Sequence, residues 1–294
     1  PNGVIINYYI KKLQKDDYLR IDIEDKDGSI IRSFTNNQDK YSQVLNNDKS
    51  IMIGNPVLSN PNDIDNALSS DKLESLSPRN GGNRLIWDMR YPGFKSFEGM
   101  VLYSSPNVGP KATPGKYNIK MTYNDIVFQE EFEIVKDPRV KISQADYQDQ
   151  LEFLIDVRDE VSRANQQIMD IRSIKNNMSF ILDKTKGNIE LQEMINKYLN
   201  DISVIENNIH MTKNQSRQDP LNYGIRINNR IAFLLADSQR GDYPPTDQSK
   251  EFFSQVKEEL DIEIINLKAL IKNHSQKIED YLKKNKIELI SLND

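Results

Sequence analysis

The chain has 294 residues, 37% of them hydrophobic, with 13 Tyr and 10 Phe, which is enough apolar material for two cores and argues against wholesale disorder. Its formal net charge of −5 is spread evenly, with 18 basic and 19 acidic side chains in residues 1–140, so no basic face for a run of phosphates emerges and nucleic acid is not an expected partner. Cysteine is absent, which excludes disulfides, thiolate catalysis and Cys-based zinc sites. No run of about 18 apolar residues occurs, so direct membrane insertion is not expected.

The pattern changes character near Lys136-Asp137-Pro138, where the predicted domain boundary falls: an antiparallel β-sandwich over 1–138 and an antiparallel helical bundle over 139–294. Val4, Ile6, Tyr8 and Ile10 alternate with Ile5, Asn7 and Tyr9, as in a strand with one buried face. In the next strand Leu19, Ile21 and Ile23 share a face opposite Tyr18, Arg20 and Asp22. Asp27-Gly28 then turns the chain into Ser29 to Phe34. Residues 35–80 are polar and read as an insertion, with a short strand at Ile51 to Ile53 and a short helix around Ile64 to Leu73. Strands resume at Asn83 to Asp88 and at Gly115 to Met121, and Asn124-Asp125 turns the chain into Val127 to Val135. About seven strands joined as hairpins describe an Ig-like sandwich better than a barrel.

In the second half, Ser143 caps a long helix whose stripe of Leu151, Leu154, Ile155, Val161, Ile168, Ile171, Ile174, Met178 and Ile181 ends at Lys186-Gly187. A second stripe runs from Ile189 to Ile209. Asp219-Pro220 starts a third helix carrying Leu221, Ile225, Ile231, Leu234 and Leu235. After a break at Gly241 to Pro245, Thr246 caps a fourth helix that reaches about Lys284. Four amphipathic helices with short connections predict a four-helix antiparallel bundle, because none can bury its stripe alone.

Several stretches occur in a characteristic order: Gly3 to Ile10, Asp25 to Gly28, Gly82 to Gly93 (with Trp87-Asp88-Met89-Arg90-Tyr91), Gly109 to Tyr117, Val135 to Val140 and Arg240 to Thr246. In this order they resemble the C-terminal region of exported bacterial proteins that carry sortilin-like (VPS10-type) or BNR-repeat β-propellers, often labelled glycosyl-hydrolase-like. The resemblance implies an Ig-like sandwich, a helical tail, a propeller lying upstream and an extracytoplasmic location at the cell surface or in the periplasm. The chain opens without the plan of a signal peptide, so the expected signal lies upstream of Pro1. It holds no Ser-x-Asp-x-Gly-x-Thr-Trp propeller box and no period of about 40–50 residues, so a propeller's activity is not carried over.

The most distinctive cluster is Trp87, Asp88, Arg90 and Tyr91. A Trp flanked by polar groups could stack on a sugar, but Leu85 and Trp87 share a strand face, which favours a core role. Phe94 and Phe97, in the loop from Tyr91 to Pro110, are expected to be contact aromatics beside a rigid scaffold. Asp25, Asp27 and Gly28 mimic the opening of a calcium loop, yet Asn36 stands where a bidentate Glu is needed, so a hairpin turn is preferred and no metal is expected. His210 and His274 are read as solvated surface residues without ligand partners. No glycine-rich phosphate loop follows a strand, and no cofactor is expected. Carboxylates such as Asp88, Glu98, Glu130 and Glu131 are plentiful, but the sequence does not say which of them face each other for hydrolysis. The reading is a non-catalytic binding and assembly module whose partner is a protein or its own upstream propeller. Its rivals are an accessory region of a carbohydrate hydrolase and a structural oligomerisation module.

Overall fold

The computed structural model describes residues 3–37 and 74–287. Seven strands and five helices lie among them. Strand β1 (Val4–Ile10) pairs antiparallel with β5 (Gly81–Trp87) to form a two-stranded sheet. The second sheet has the order β4-β3-β2-β6-β7, built from β2 (Leu19–Glu24), β3 (Ile30–Thr35), β4 (Glu74–Ser75), β6 (Gly115–Tyr123) and β7 (Ile126–Ile134). Its long pairings are antiparallel, and only the two-residue contact of β4 with β3 is parallel. The helices are α1 (Gln144–Lys184), α2 (Ile189–Ile209), α3 (Asp219–Tyr223), α4 (Ile227–Ser238) and α5 (Asp247–Lys284). The expected strand at Ile51 to Ile53 and helix around Ile64 to Leu73 lie outside the described residues.

The strands follow their period-two pattern into one core fed by both sheets. Ile6 and Ile10 of β1 and Trp87 of β5 join Leu19, Ile21, Ile23, Phe34 and Tyr117 of the larger sheet. The turns are set by local chemistry. The Asp25 carboxylate accepts from the amides of Asp27 (2.9 Å) and Ser29 (2.8 Å), while Gly28 takes φ 82°; Asp25 therefore organises a hairpin, as its sequence context suggests. Asn124 takes φ 50° in the two-residue turn that sets Tyr123 opposite Ile126, and its side chain reaches back to accept from the Tyr18 amide at 2.8 Å.

Strands β2 and β3 are buried along their whole length, so their second face is also covered. There Asp22 and Ser33 stand opposite each other in register and bond at 2.6 Å, and Arg20 Nε donates to Asp22 at 2.7 Å. A buried carboxylate is tolerated here because a guanidinium and a hydroxyl both serve it.

The described residues divide into two units assembled from interleaved segments. The first takes residues up to Ser96, then Asn107–Asp159 and Ala236–Pro245; the second takes Phe97–Pro106, Glu160–Leu235 and residues from Thr246 on. In the second unit the buried stripes of α2 (Leu191, Ile195, Tyr198, Ile202, Ile205, Ile209) and α5 (Val256, Leu260, Ile264, Leu267) keep helical spacing. Caps stand where the sequence places them: Asp146 N donates to Ser143 Oγ at 3.1 Å, and Ser249 N to Thr246 Oγ1 at 3.1 Å. Asn188 caps α2 by accepting from Leu191 N, a role the sequence reading missed.

The expected third helix is corrected. It is interrupted at Gly224, where φ 89° and ψ 151° end α3, so Leu221 and Ile225 stay exposed instead of joining the stripe. Ile189, assigned to the second stripe, is exposed as well. The Gly224 conformation is accessible essentially only to glycine, although a methyl group at that position would meet no neighbouring atom within 4 Å. Gly224→Ala is therefore expected to lower unfolding free energy by about 1–3 kcal/mol through backbone strain alone, measured by urea denaturation.

Candidate functional site

In the first unit, Trp87 ends β5 and is 1% exposed. Its ring meets Tyr117 (centroids 6.0 Å apart) and Phe132 (6.2 Å) edge-on, the arrangement favoured by aromatic quadrupoles. The indole Nε1 donates to the Arg90 carbonyl at 3.0 Å, which closes a turn in which Met89 takes φ 60° and Asp88 Oδ1 accepts from Arg90 N at 3.1 Å. The ring faces of Trp87 are thus committed to the core and are not presented to a sugar.

Arg90 is held the same way. Its Nη1 donates to the Gly109 carbonyl (2.9 Å) and to Gln239 Oε1 (3.1 Å), while the amides of Tyr91 and Ala112 donate to Pro110 O (2.8 Å) and Met89 O (2.7 Å). Gly109 is required by close approach: a Cβ there would lie 1.9 Å from the Tyr91 carbonyl oxygen. Burial pushes the Tyr91 phenol well above its ordinary range, so it stays neutral. Trp87, Asp88, Arg90 and Tyr91 are brought together, but as a brace between β5 and the segment 109–112.

The expectation of contact aromatics is corrected. Phe94 is 3% exposed, and its carbonyl accepts from Asn107 Nδ2 at 2.7 Å. Phe97, in the second unit, is half-buried, with its ring edge-on to His210 (5.0 Å) and the Arg172 guanidinium 4.6 Å above it. Both rings find apolar or cationic cover, so neither forms an exposed contact patch.

Around Phe97 the second unit gathers a polar cluster. Asn229 Oδ1 accepts from Tyr103 N (2.8 Å), and its Nδ2 donates to Tyr103 O (3.0 Å) and Ser105 Oγ (3.1 Å). Arg172 Nη1 donates to Glu98 O at 2.7 Å. Glu206, itself buried, receives Lys175 Nζ at 2.5 Å and Arg172 Nε at 3.3 Å. These bonds clamp segment 97–106 to α1 and α4, serving backbone groups of Glu98 and Tyr103 that no strand pairing reaches.

His210, expected at the surface, is 2% exposed. Its Nδ1 lies 3.2 Å from Asn228 Nδ2, which also donates to Asn165 Oδ1 at 3.1 Å. An amide donor facing Nδ1 calls for the neutral ring protonated on Nε2. Desolvation first, then the Arg172 charge, pushes the pKa down to about 4. A ring so hard to protonate serves as a neutral packing and hydrogen-bonding group and not as a proton relay at neutral pH. One signal for the cluster was present in the sequence: Asn165 and Arg172 continue the helical spacing of Val161 and Ile168, polar residues on an apolar stripe. His274 is also partly covered, stacked on Tyr198 at 4.8 Å with Nε2 3.2 Å from Asp201 Oδ2.

Compared with known proteins, the chain matches no family model, no curated protein and no solved structure.

Two outcomes follow for these clusters. Trp87→Ala is expected to cost about 3–5 kcal/mol, whereas Trp87→Phe, which keeps most of the bulk and loses the bond to Arg90 O, should cost much less; chemical denaturation of both variants checks this. His210 has a folded pKa below its unfolded value, so its contribution is fully present above pH 6.5 and is lost as pH falls through 6.5 toward about 4. The loss should approach about 3 kcal/mol, and in urea titrations between pH 7.5 and 4 the His210→Gln variant should show a shallower decline than the parent.

Proposed function

We propose that this chain is a non-catalytic binding and assembly module of an exported bacterial surface protein, in which an Ig-like β-sandwich presents a recognition edge and an antiparallel helical bundle follows it. The core shared by the two sheets supports the sandwich reading, and the helical stripes of α1, α2 and α5 support the bundle. The ordered motifs from Gly3 to Thr246 support the kinship with sortilin-like and BNR-repeat propeller proteins, and with it the location outside the cytoplasm.

The observation that carries the binding role is β7. Among the described residues it is the outermost strand of its sheet, nine residues long, and Ile126, Val127 and Phe128 along it are 56%, 54% and 52% exposed. An edge strand offers unpaired backbone donors and acceptors along its free side, and natural sheets usually shorten, charge or cover such edges. Here three consecutive apolar residues stand in the open beside exposed Glu130, Glu131 and Glu133. An extended partner segment could continue the ladder, with apolar side chains meeting Val127 and Phe128 and basic ones meeting the glutamates.

A photo-crosslinking residue at Ile126, in the protein as it occurs in its source cells, should give one discrete adduct that disappears when Val127 and Phe128 are both changed to Lys. Exposed positions of this kind alter stability by under about 1 kcal/mol, so loss of the adduct would report the surface. A persistent adduct in the double variant, or none in the parent, would sink the edge-strand role.

A further inference from the structure

A second surface, independent of β7, has the makings of a small-molecule site. In the second unit the end of α2, the start of α4 and the middle of α5 border an open recess of about 310 Å³. Its apolar wall is formed by Ile225, Ile227 and Ile262, of which Ile225 and Ile262 are exposed toward solvent.

The polar groups on the rim differ in how well they are served. Glu259 is gripped by Arg230 through both carboxylate oxygens, at 2.5 and 3.0 Å. Glu263 accepts from Asn208 Nδ2 at 3.0 Å. Arg226, which also lines the cavity, is the exception: its Nε is buried and has no hydrogen-bond partner, and among the described residues no carboxylate forms an ion pair with its side chain. Helix α4 begins one residue later and has no acidic residue in its first turn, so its own sequence does not offset the positive end of the helix.

A guanidinium that borders the recess without a carboxylate partner among the described residues favours an anion, and the group that best matches its planar fork is a carboxylate. A bare inorganic anion would leave the isoleucine wall wet. A carboxylate carried on a hydrocarbon body would satisfy both halves, and the cavity lies within the usual size range for small ligands.

The geometry points to a binding site for an aliphatic monocarboxylate, with Arg226 taking the carboxylate and Ile225, Ile227 and Ile262 taking the hydrocarbon. The Arg230 and Glu259 pair, spent on each other, holds α4 to α5 at the cavity rim. Neither the edge strand nor its partner enters this site.

Isothermal titration of the full chain with octanoate tests it, with octanol and inorganic phosphate as the probes that each lack one half of the ligand. Saturable octanoate binding with Kd below about 1 mM is expected, weakened about tenfold or more by Arg226→Gln and less by Arg226→Lys, with octanol and phosphate both weaker than octanoate. Ile262→Asp, a change at an exposed position that brings a negative charge to the wall, should also weaken it. Circular dichroism melts establish that each variant is folded, and Ile262→Asp decides the matter if Arg226→Gln does not fold. Absence of saturable octanoate binding, octanoate affinity unchanged in the folded variants, or phosphate binding as tightly as octanoate would overturn the assignment.

Discussion

The first unit depends on the burial of Trp87. A two-stranded sheet is marginal in water, and β1 with β5 has no third strand among the described residues to share its backbone bonds. Trp87 supplies what the pair lacks: a large apolar surface set against Tyr117 and Phe132 of the other sheet, and a polar tip tied to Arg90 O. Every other feature of the region follows from keeping that ring in place. The positive φ of Met89, the two bonds from Arg90 Nη1 and the absolute need for glycine at position 109 all hold the chain leaving β5 against residues 109–112.

The second unit meets a different problem, the docking of an irregular, partly covered segment. Residues 97–106 carry backbone groups that no ladder serves, and the helices answer with side-chain amides and a guanidinium. Asn229 satisfies both the N–H and the C=O of Tyr103, and Arg172 covers both the Phe97 ring and the Glu98 carbonyl. Such a network is stabilised in proportion to how many of its buried groups are served, and here Asn228 Oδ1 is not. Glu206 can be buried because it has two cationic partners, and His210 can be buried because it stays neutral. The cluster is therefore a lock whose strength depends on protonation state.

The surfaces left over once these internal demands are met are of two kinds. The β7 edge is extended, apolar at one end and acidic toward the other, a form suited to another polypeptide. The recess bordered by α2, α4 and α5 is small and is lined by Arg226, which has no carboxylate partner among the described residues. The residues singled out by their distinctive sequence (Trp87, Asp88, Arg90 and Tyr91) belong to neither surface.

Features governed by a few neighbouring residues were legible in the sequence alone. Asp25, Gly28 and Asn124 set their turns, Ser143 and Thr246 their caps, and period-two and helical spacings located the strands and long helices, because each signal acts within about one turn of chain. Even the burial of Trp87 could be read from its sharing a strand face with Leu85. Only the tertiary structure decided that β1 pairs with β5, some 75 residues away, and that the larger sheet runs β4-β3-β2-β6-β7. It also decided that both faces of β2 are covered, that Phe94 and His210 turn inward, and that among the described residues Arg226 has no carboxylate partner while Arg230, four residues on, has one. In each case the outcome depends on which distant face or charge arrives beside the residue, and that is fixed by competition among long-range contacts over the whole chain, beyond the reach of any local pattern.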